Sequence, residues 1–139
     1  MMKTLIRNGK VVSSEGVFSA DVLFEGEEIT RVEEGINADD TDEIIDATGL
    51  LVMPGGIDVH VHLDLPMFGT VSSDDHYTGT KAAAYGATTT VIDFVSQDSD
   101  ELSACIRDLR QKADRRVAVD YGLHMNITHW TDAIGEQIP

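Results

Sequence analysis

The chain has one cysteine, Cys105, in 139 residues, so no disulfide can close within it and a small disulfide-stapled scaffold is excluded. Cys105 recurs with Leu102, Ile106 and Leu109 at helical spacing, the pattern of a thiol packed in a core rather than of a nucleophile. Basic residues are scarce: 10 Lys plus Arg stand against 25 Asp plus Glu, a formal net charge of -15. Such a surface makes nucleic acid and anionic membrane poor partners. Ten of the acids crowd between Glu25 and Asp46 and the chain has only four lysines, a balance that fits a solvated acidic face or a high-salt origin. No apolar run approaches the ~20 residues of a membrane span. Met1 to Arg7 has neither the apolar region nor the small-residue cleavage site of a secretory signal, which makes the cytoplasm the expected compartment. Repeats at solenoid spacing and low-complexity linkers are missing too.

What is present falls into two patterns that meet near residue 53. The first part consists of short β-prone runs punctuated by turns. Leu5–Arg7 and Val11–Val12 flank Asn8-Gly9, a type I′ hairpin signal; Val22–Phe24 and Ile29–Val32 flank Glu25–Glu28; Ile44–Asp46 and Leu50–Val52 lie across Gly49. These runs predict a small antiparallel β region. From Pro54 onward strands and helices alternate, as in βα units on a parallel sheet. The predicted strands are Ile57–His62, Thr88–Phe94 and Val117–Met125. Ser73 is the expected cap of the first helix, with Asp74 and Asp75 in its first turn and Gly86 as its stop. Asp98 and Glu101 resemble a capping box for the second helix. A last short helix is expected near Thr131 or Asp132.

The chemistry concentrates at Asp58-Val59-His60-Val61-His62. On a strand, residues two apart share a face, so His60 and His62 present two imidazoles to one side while Val59 and Val61 pack on the other. Neutral imidazole is the commonest protein metal ligand, which makes the pair half of a metal site. Asp58 is expected on the histidine face, placed to orient a ligand. Asp93, near the end of the second strand, is read as a carboxylate supporting the site. The remaining histidines fit blander places: His76 on a helix surface, His124 as a hydrogen-bonded core residue, His129 in a loop.

Residues 45–63, ending in Pro54-Gly55-Gly56-Ile57-Asp58-Val59-His60-Val61-His62-Leu63, resemble the opening segment of the amidohydrolase superfamily. Asp64-Leu65-Pro66-Met67-Phe68-Gly69-Thr70 narrows the resemblance to the hydantoinase and dihydropyrimidinase branch, and likeness extends from Leu5 to about Asn126. It implies an α/β chain. Residues 1–53 would form part of a small antiparallel β-sandwich, and residues 54–139 the first three βα units of a (β/α)8 TIM barrel. A complete barrel takes roughly 250 residues, so this one would be incomplete.

The resemblance also implies two divalent metal ions, zinc by preference, bridged by a carboxylated lysine. His60 and His62 would be two of the ligands. The bridging lysine, the other ligands and the general base are expected beyond Pro139, leaving no catalytic base here; Lys81 and Lys112 fall on predicted helices. Tyr77, Tyr85 and Tyr121 do not match the family's oxyanion tyrosine. Leu65, Met67 and Phe68 would form a substrate lid. The implied activity is ring opening of a cyclic ureide, a dihydropyrimidine or 5-substituted hydantoin, to an N-carbamoyl amino acid by a homotetramer. Dihydroorotase and allantoinase are the neighbouring alternatives, but Asp64-Leu65-Pro66-Met67 lacks their cationic anchor for a substrate carboxylate. Dihydropyrimidinase-related proteins that act by assembly without a metal are the other alternative, against which the presence of both histidines argues.

Overall fold

A computed structural model describes residues 1–138. The chain divides into two compact units, Met1–Pro54 and Gly55–Pro139.

In the first unit β1 (Lys3–Ser13), β2 (Gly16–Glu25), β3 (Glu28–Glu33), β4 (Glu43–Asp46) and β5 (Leu51–Val52) make one sheet in the order β3-β2-β1-β4, with β5 also on β1. The β1–β2 and β2–β3 pairs are antiparallel. The expectation of an antiparallel region fails beyond them, because β4 and β5 both run parallel to β1, one after the other along its length. The segment at Gly49 therefore connects two strands that share a partner; it does not close a hairpin.

The expected hairpin at Asn8-Gly9 is also absent. β1 continues through it, and pairing jumps from Ile6↔Val22 to Gly9↔Ala20, so Arg7 and Asn8 together face Asp21. Asn8 takes the left-handed backbone (φ 63°) that a type I′ turn would use, but it serves a β-bulge. The buried Asp21 carboxylate accounts for this choice: it accepts the Asn8 N–H at 2.9 Å and the Ile36 N–H at 3.0 Å. The chain turns at Ser13–Gly16 instead. A Cβ on Gly9 would lie 2.5 Å from Val52 Cγ2, so the bare backbone there is what admits β5. Leu5, Leu23 and Ile36 form the core of this unit; burying each contributes about 1.5–3 kcal/mol.

The second unit contains β6 (Gly56–Val61), a hairpin of β7 (Pro66–Met67) and β8 (Thr70–Val71), α1 (His76–Tyr85), β9 (Thr88–Ser96), α2 (Leu102–Ala113), β10 (Asp120–Asn126) and α3 (Asp132–Gly135). Its main sheet has the order β10-β9-β6 and is parallel throughout. The sheet starts at a close approach, since a Cβ on Gly55 would fall 2.2 Å from the Thr89 side chain. Val91, Asp93 and Val95 are buried on the β9 face that meets α1 and α2, whereas the alternate residues Thr90, Ile92 and Phe94 are only half-buried.

Both helix starts differ in detail from expectation. Asp75, not Ser73, caps α1: its side chain accepts the Tyr77 and Thr78 N–H groups, and Thr78 Oγ1 accepts the Asp75 N–H. Those bonds, that from the Thr78 backbone N–H most of all, hold the Asp75 carboxyl below the usual carboxylate range. At the other end Gly86 has an ordinary φ of -87°, and Ala87 supplies the left-handed residue at φ 60°. α2 starts at Leu102 without a side-chain cap on its own turn. Asp98 accepts the Cys105 thiol at 3.0 Å, while the Leu102 N–H goes to Gln137 Oε1 at 2.9 Å. Cys105 is buried, as its helical spacing predicts. β10 begins three residues later than expected because Arg116 and Val117 still donate to Ala113 and the Ala118 N–H goes to Thr80 Oγ1. Among the described residues no helix is long and apolar enough to cross a membrane.

Candidate metal centre

His60 sits at the carboxyl end of β6 and His62 just beyond it. Their Nε2 atoms converge to 3.2 Å, with the rings nearly perpendicular at 86°. Both side chains are exposed, so neither nitrogen carries a burial cost that a partner must offset. At this distance a neutral pair can share a proton or hold one ion. Zinc-type ions take nitrogen ligands at about 2.0–2.1 Å in tetrahedral geometry, which separates neighbouring donors by ~3.3 Å. The imidazole pair therefore fits two positions of such a site. Among the described residues no set of three or more His, Cys, Asp or Glu side chains is placed to hold an ion.

Phe94 packs beneath the pair, its ring centroid 4.5 Å from that of His60 and 5.2 Å from that of His62. On the other side of Phe94 stands His124, at 5.2 Å. His124 is exposed and makes no hydrogen bond among the described residues, so the hydrogen-bonded core position expected for it is wrong. An imidazole on an uncovered sheet face has no buried partner to satisfy.

Asp58 is not where simple alternation puts it. Pairing runs Asp58↔Val91 and then Val61↔Asp93, three residues against two, so an irregularity intervenes between Asp58 and Val61. The Asp58 carboxylate accepts the His60 backbone N–H at 3.1 Å and does not reach its ring. Asp93 points to the covered face, away from the imidazole pair. Its Oδ1 accepts the Phe94 N–H at 2.7 Å and, at 3.4 Å, the N–H of Leu63, the residue that follows His62. It ties down the backbone behind the pair.

The histidine assigned to a helix surface is among the most buried side chains of the unit. His76 is 1% exposed at the first position of α1, with Nδ1 3.5 Å from Asp64 Oδ2 and Nε2 3.3 Å from Asp93 Oδ2. Neither contact is aligned as a hydrogen bond, leaving both ring nitrogens and Asp93 Oδ2 without such a partner. The signal that finds this cluster is the cap. With Asp75 as N-cap, His76 and Thr80 fall one turn apart on the inward face of α1, where both are buried.

Of the residues expected in a lid, Leu65 is half-buried at the base of the β7–β8 hairpin, and its N–H bonds Ser72 Oγ at 2.9 Å. Met67 is exposed, and Phe68 at the tip is 98% exposed. Phe68 and Gly69 make the turn with φ of 49° and 78°. His129 lies in a loop, as expected, with Nε2 2.7 Å from Asp100 Oδ1.

Known proteins resemble this chain over nearly its whole length. Residues 51–130 match the model of the amidohydrolase family. The chain is 43% identical to a D-hydantoinase of Geobacillus stearothermophilus over 99% of its own length and 29% of that protein. It is 44% identical to dihydropyrimidinase 1 of Caenorhabditis elegans over 96% of this chain and 28% of that one. The crystal structure of dihydropyrimidinase from Brevibacillus agri superposes with a TM-score of 0.93 at 44% identity, covering 98% of this chain and 30% of the other. The chain thus spans less than a third of the length of these relatives and shares their mixed α/β fold over that part. By family model, relatives and fold alike, it belongs to the amidohydrolase family.

Proposed function

We infer that the complete protein is a metal-dependent cyclic amide hydrolase that opens dihydropyrimidines or 5-substituted hydantoins to N-carbamoyl amino acids. The observation that carries this is the 3.2 Å convergence of His60 and His62 at the carboxyl end of a parallel strand, in a chain whose relatives are D-hydantoinases and dihydropyrimidinases. In this reading β6, β9 and β10, adjacent in that order, are the first three strands of a TIM barrel, whose chemistry sits at the carboxyl ends of its strands. The first unit is then part of a β-sandwich.

His60 and His62 would hold one of two divalent ions, zinc in our reading, the two being bridged by a carboxylated lysine. Lys81 lies on α1 and Lys112 on α2, away from strand ends, so neither supplies the bridge. Ions held there would supply an acidified water and Lewis-acid polarisation of a ring carbonyl. Asp93 would keep His62 in place through the Leu63 backbone. Met67 and Phe68 offer apolar contact to a ring substituent, and Leu65 anchors their hairpin. Asp64 turns toward His76 instead of the substrate side. No cation from this segment faces the site, which suits a neutral ring and disfavours a free carboxylate. A homotetramer, implied by the family resemblance, and a cytoplasmic location complete the reading.

Two measurements test it. His60→Ala and His62→Ala should each lower metal content and activity together; mass-spectrometric metal analysis showing full occupancy in both variants would overturn the ligand assignment. Dihydrouracil or a hydantoin should be opened with a kcat/KM about 100-fold above that for dihydroorotate, roughly 2.7 kcal/mol of transition-state discrimination. A preference for dihydroorotate would move the protein to the neighbouring branch.

A further inference from the structure

The open face of the parallel sheet carries a third imidazole that the reading above leaves without a task. Phe94 and His124 are direct partners in the parallel β9–β10 pairing, so their side chains leave the sheet on the same side. That side also carries His60 and His62, whose rings lie tilted against the same Phe94. The three histidines therefore form a row across β6, β9 and β10, with Phe94 in the middle.

His124 is not a third ligand of the same ion in this arrangement, because the Phe94 ring lies between it and the pair. The two centroid separations of 4.5 Å and 5.2 Å put it within about 10 Å of His60, the span of a small ring molecule lying over Phe94. The ring is exposed, has no hydrogen-bond partner among the described residues, and stands next to the last residue but one of β10. An N–H donor at that place can meet a carbonyl oxygen of a planar ureide whose ring rests on Phe94.

We propose that His124 is a substrate-contacting residue of the His60–His62 site, donating a hydrogen bond to a ring carbonyl oxygen of a bound cyclic ureide. This rests on the hydrolase reading and assigns to β10 the polar contact farthest from the metal pair. The carbonyl His124 would meet is the one beyond the breaking C–N bond, whose oxygen takes up charge as the ureido nitrogen leaves; a donor aimed at such an oxygen contributes about 100-fold to kcat, and the ground-state contact adds a smaller share to binding.

The test uses the complete, zinc-loaded protein with His124→Phe and His124→Gln; the glutamine keeps an N–H donor on a flexible chain. Hydantoin binding is measured by calorimetry, metal content by mass spectrometry, and turnover by ring opening. The expected result for His124→Phe is full metal content, hydantoin affinity about tenfold weaker, and kcat about 100-fold lower. His124→Gln should regain at least half of the lost affinity on a logarithmic scale. Unchanged hydantoin affinity and turnover in His124→Phe would overturn the proposal, as would loss of metal, which would make His124 a ligand or a structural residue. Absence of hydantoin binding to the unmutated protein would overturn it together with the substrate reading. Binding without turnover in the unmutated protein would sink the hydrolase reading while leaving the His124 contact to stand or fall on affinity.

Discussion

The two faces of the parallel sheet use the same residue type in opposite ways. On the covered face His76 is enclosed between Asp64 and Asp93 under α1, with both nitrogens held within 3.5 Å of carboxylate oxygens. On the open face His60, His62 and His124 are exposed around Phe94, and two of them converge on a common point. A buried imidazole between two acids is committed to its neighbours. Exposed imidazoles whose nitrogens meet only one another are available to a ligand. β9 separates the two faces by simple alternation: Asp93 lies on the covered face and Phe94 on the open one. Changes on the open face should therefore remove chemistry and spare stability, and changes on the covered face should do the reverse.

The largest effect expected is on the open face. His60→Ala and His62→Ala should abolish most activity in the complete protein, yet leave the metal-free stability of the 139-residue chain, where both side chains are exposed, within about 0.5 kcal/mol of the unmutated chain. Denaturant unfolding in chelator checks this, and a large loss of metal-free stability would break the contrast between faces.

Next comes His76→Ala, which opens a cavity and leaves Asp64 and Asp93 facing each other with no ring between them. About 3 kcal/mol of unfolding free energy should be lost. His76→Phe, which refills the volume without the nitrogens, separates the packing share from the polar one. Stability unchanged in His76→Ala would mean that the buried cluster does not hold the loop behind His62.

A smaller effect lies at the start of α1. The Asp75 carboxyl is held below the usual carboxylate range, chiefly by the Thr78 backbone N–H. A depressed folded-state pKa contributes stability that is full above the unfolded value of about 3.9 and is lost as pH falls through the folded value. Asp75→Asn retains an acceptor for the cap but does not titrate, so the acid limb of the stability curve should flatten below about pH 4. An identical acid limb in both proteins would remove Asp75 from the account. The smallest change is expected for Asp58→Asn: metal content should stay full, because the carboxylate meets the His60 backbone N–H and not its ring.

Much of this contrast is legible in the chain, and the rest is hidden for identifiable reasons. Alternation places His60 and His62 together, and the βα rhythm after Pro54 predicts three parallel strands whose β-branched content suits burial. Asp58 escapes that rule because one irregular residue in β6 breaks the alternation on which it depends. His76 is concealed by an ambiguity among Ser73, Asp74 and Asp75, any of which can cap a helix; moving the start by two residues turns a surface histidine into a core one. Asn8-Gly9 correctly announces a left-handed residue, but the same backbone serves a turn or a bulge. Only the distant Asp21, supplying an acceptor for the Asn8 N–H, decides between them. Local signals name conformations well; partners far along the chain choose their use.

The missing side chains of Gly9 and Gly55 carry one more consequence, for how freely this sequence can drift. At each, a single added methyl would meet a side chain of another strand at 2.5 Å or less, Val52 in one unit and Thr89 in the other. Gly35 and Gly49 differ, for nothing lies within 4 Å of the Cβ they lack, and their φ values of 73° and 78° are ones that asparagine adopts. A saturation library selected for folded protein should therefore retain asparagine at Gly35 and Gly49 while purging even alanine at Gly9 and Gly55. Four glycines that look alike on paper would leave two opposite imprints in the surviving population.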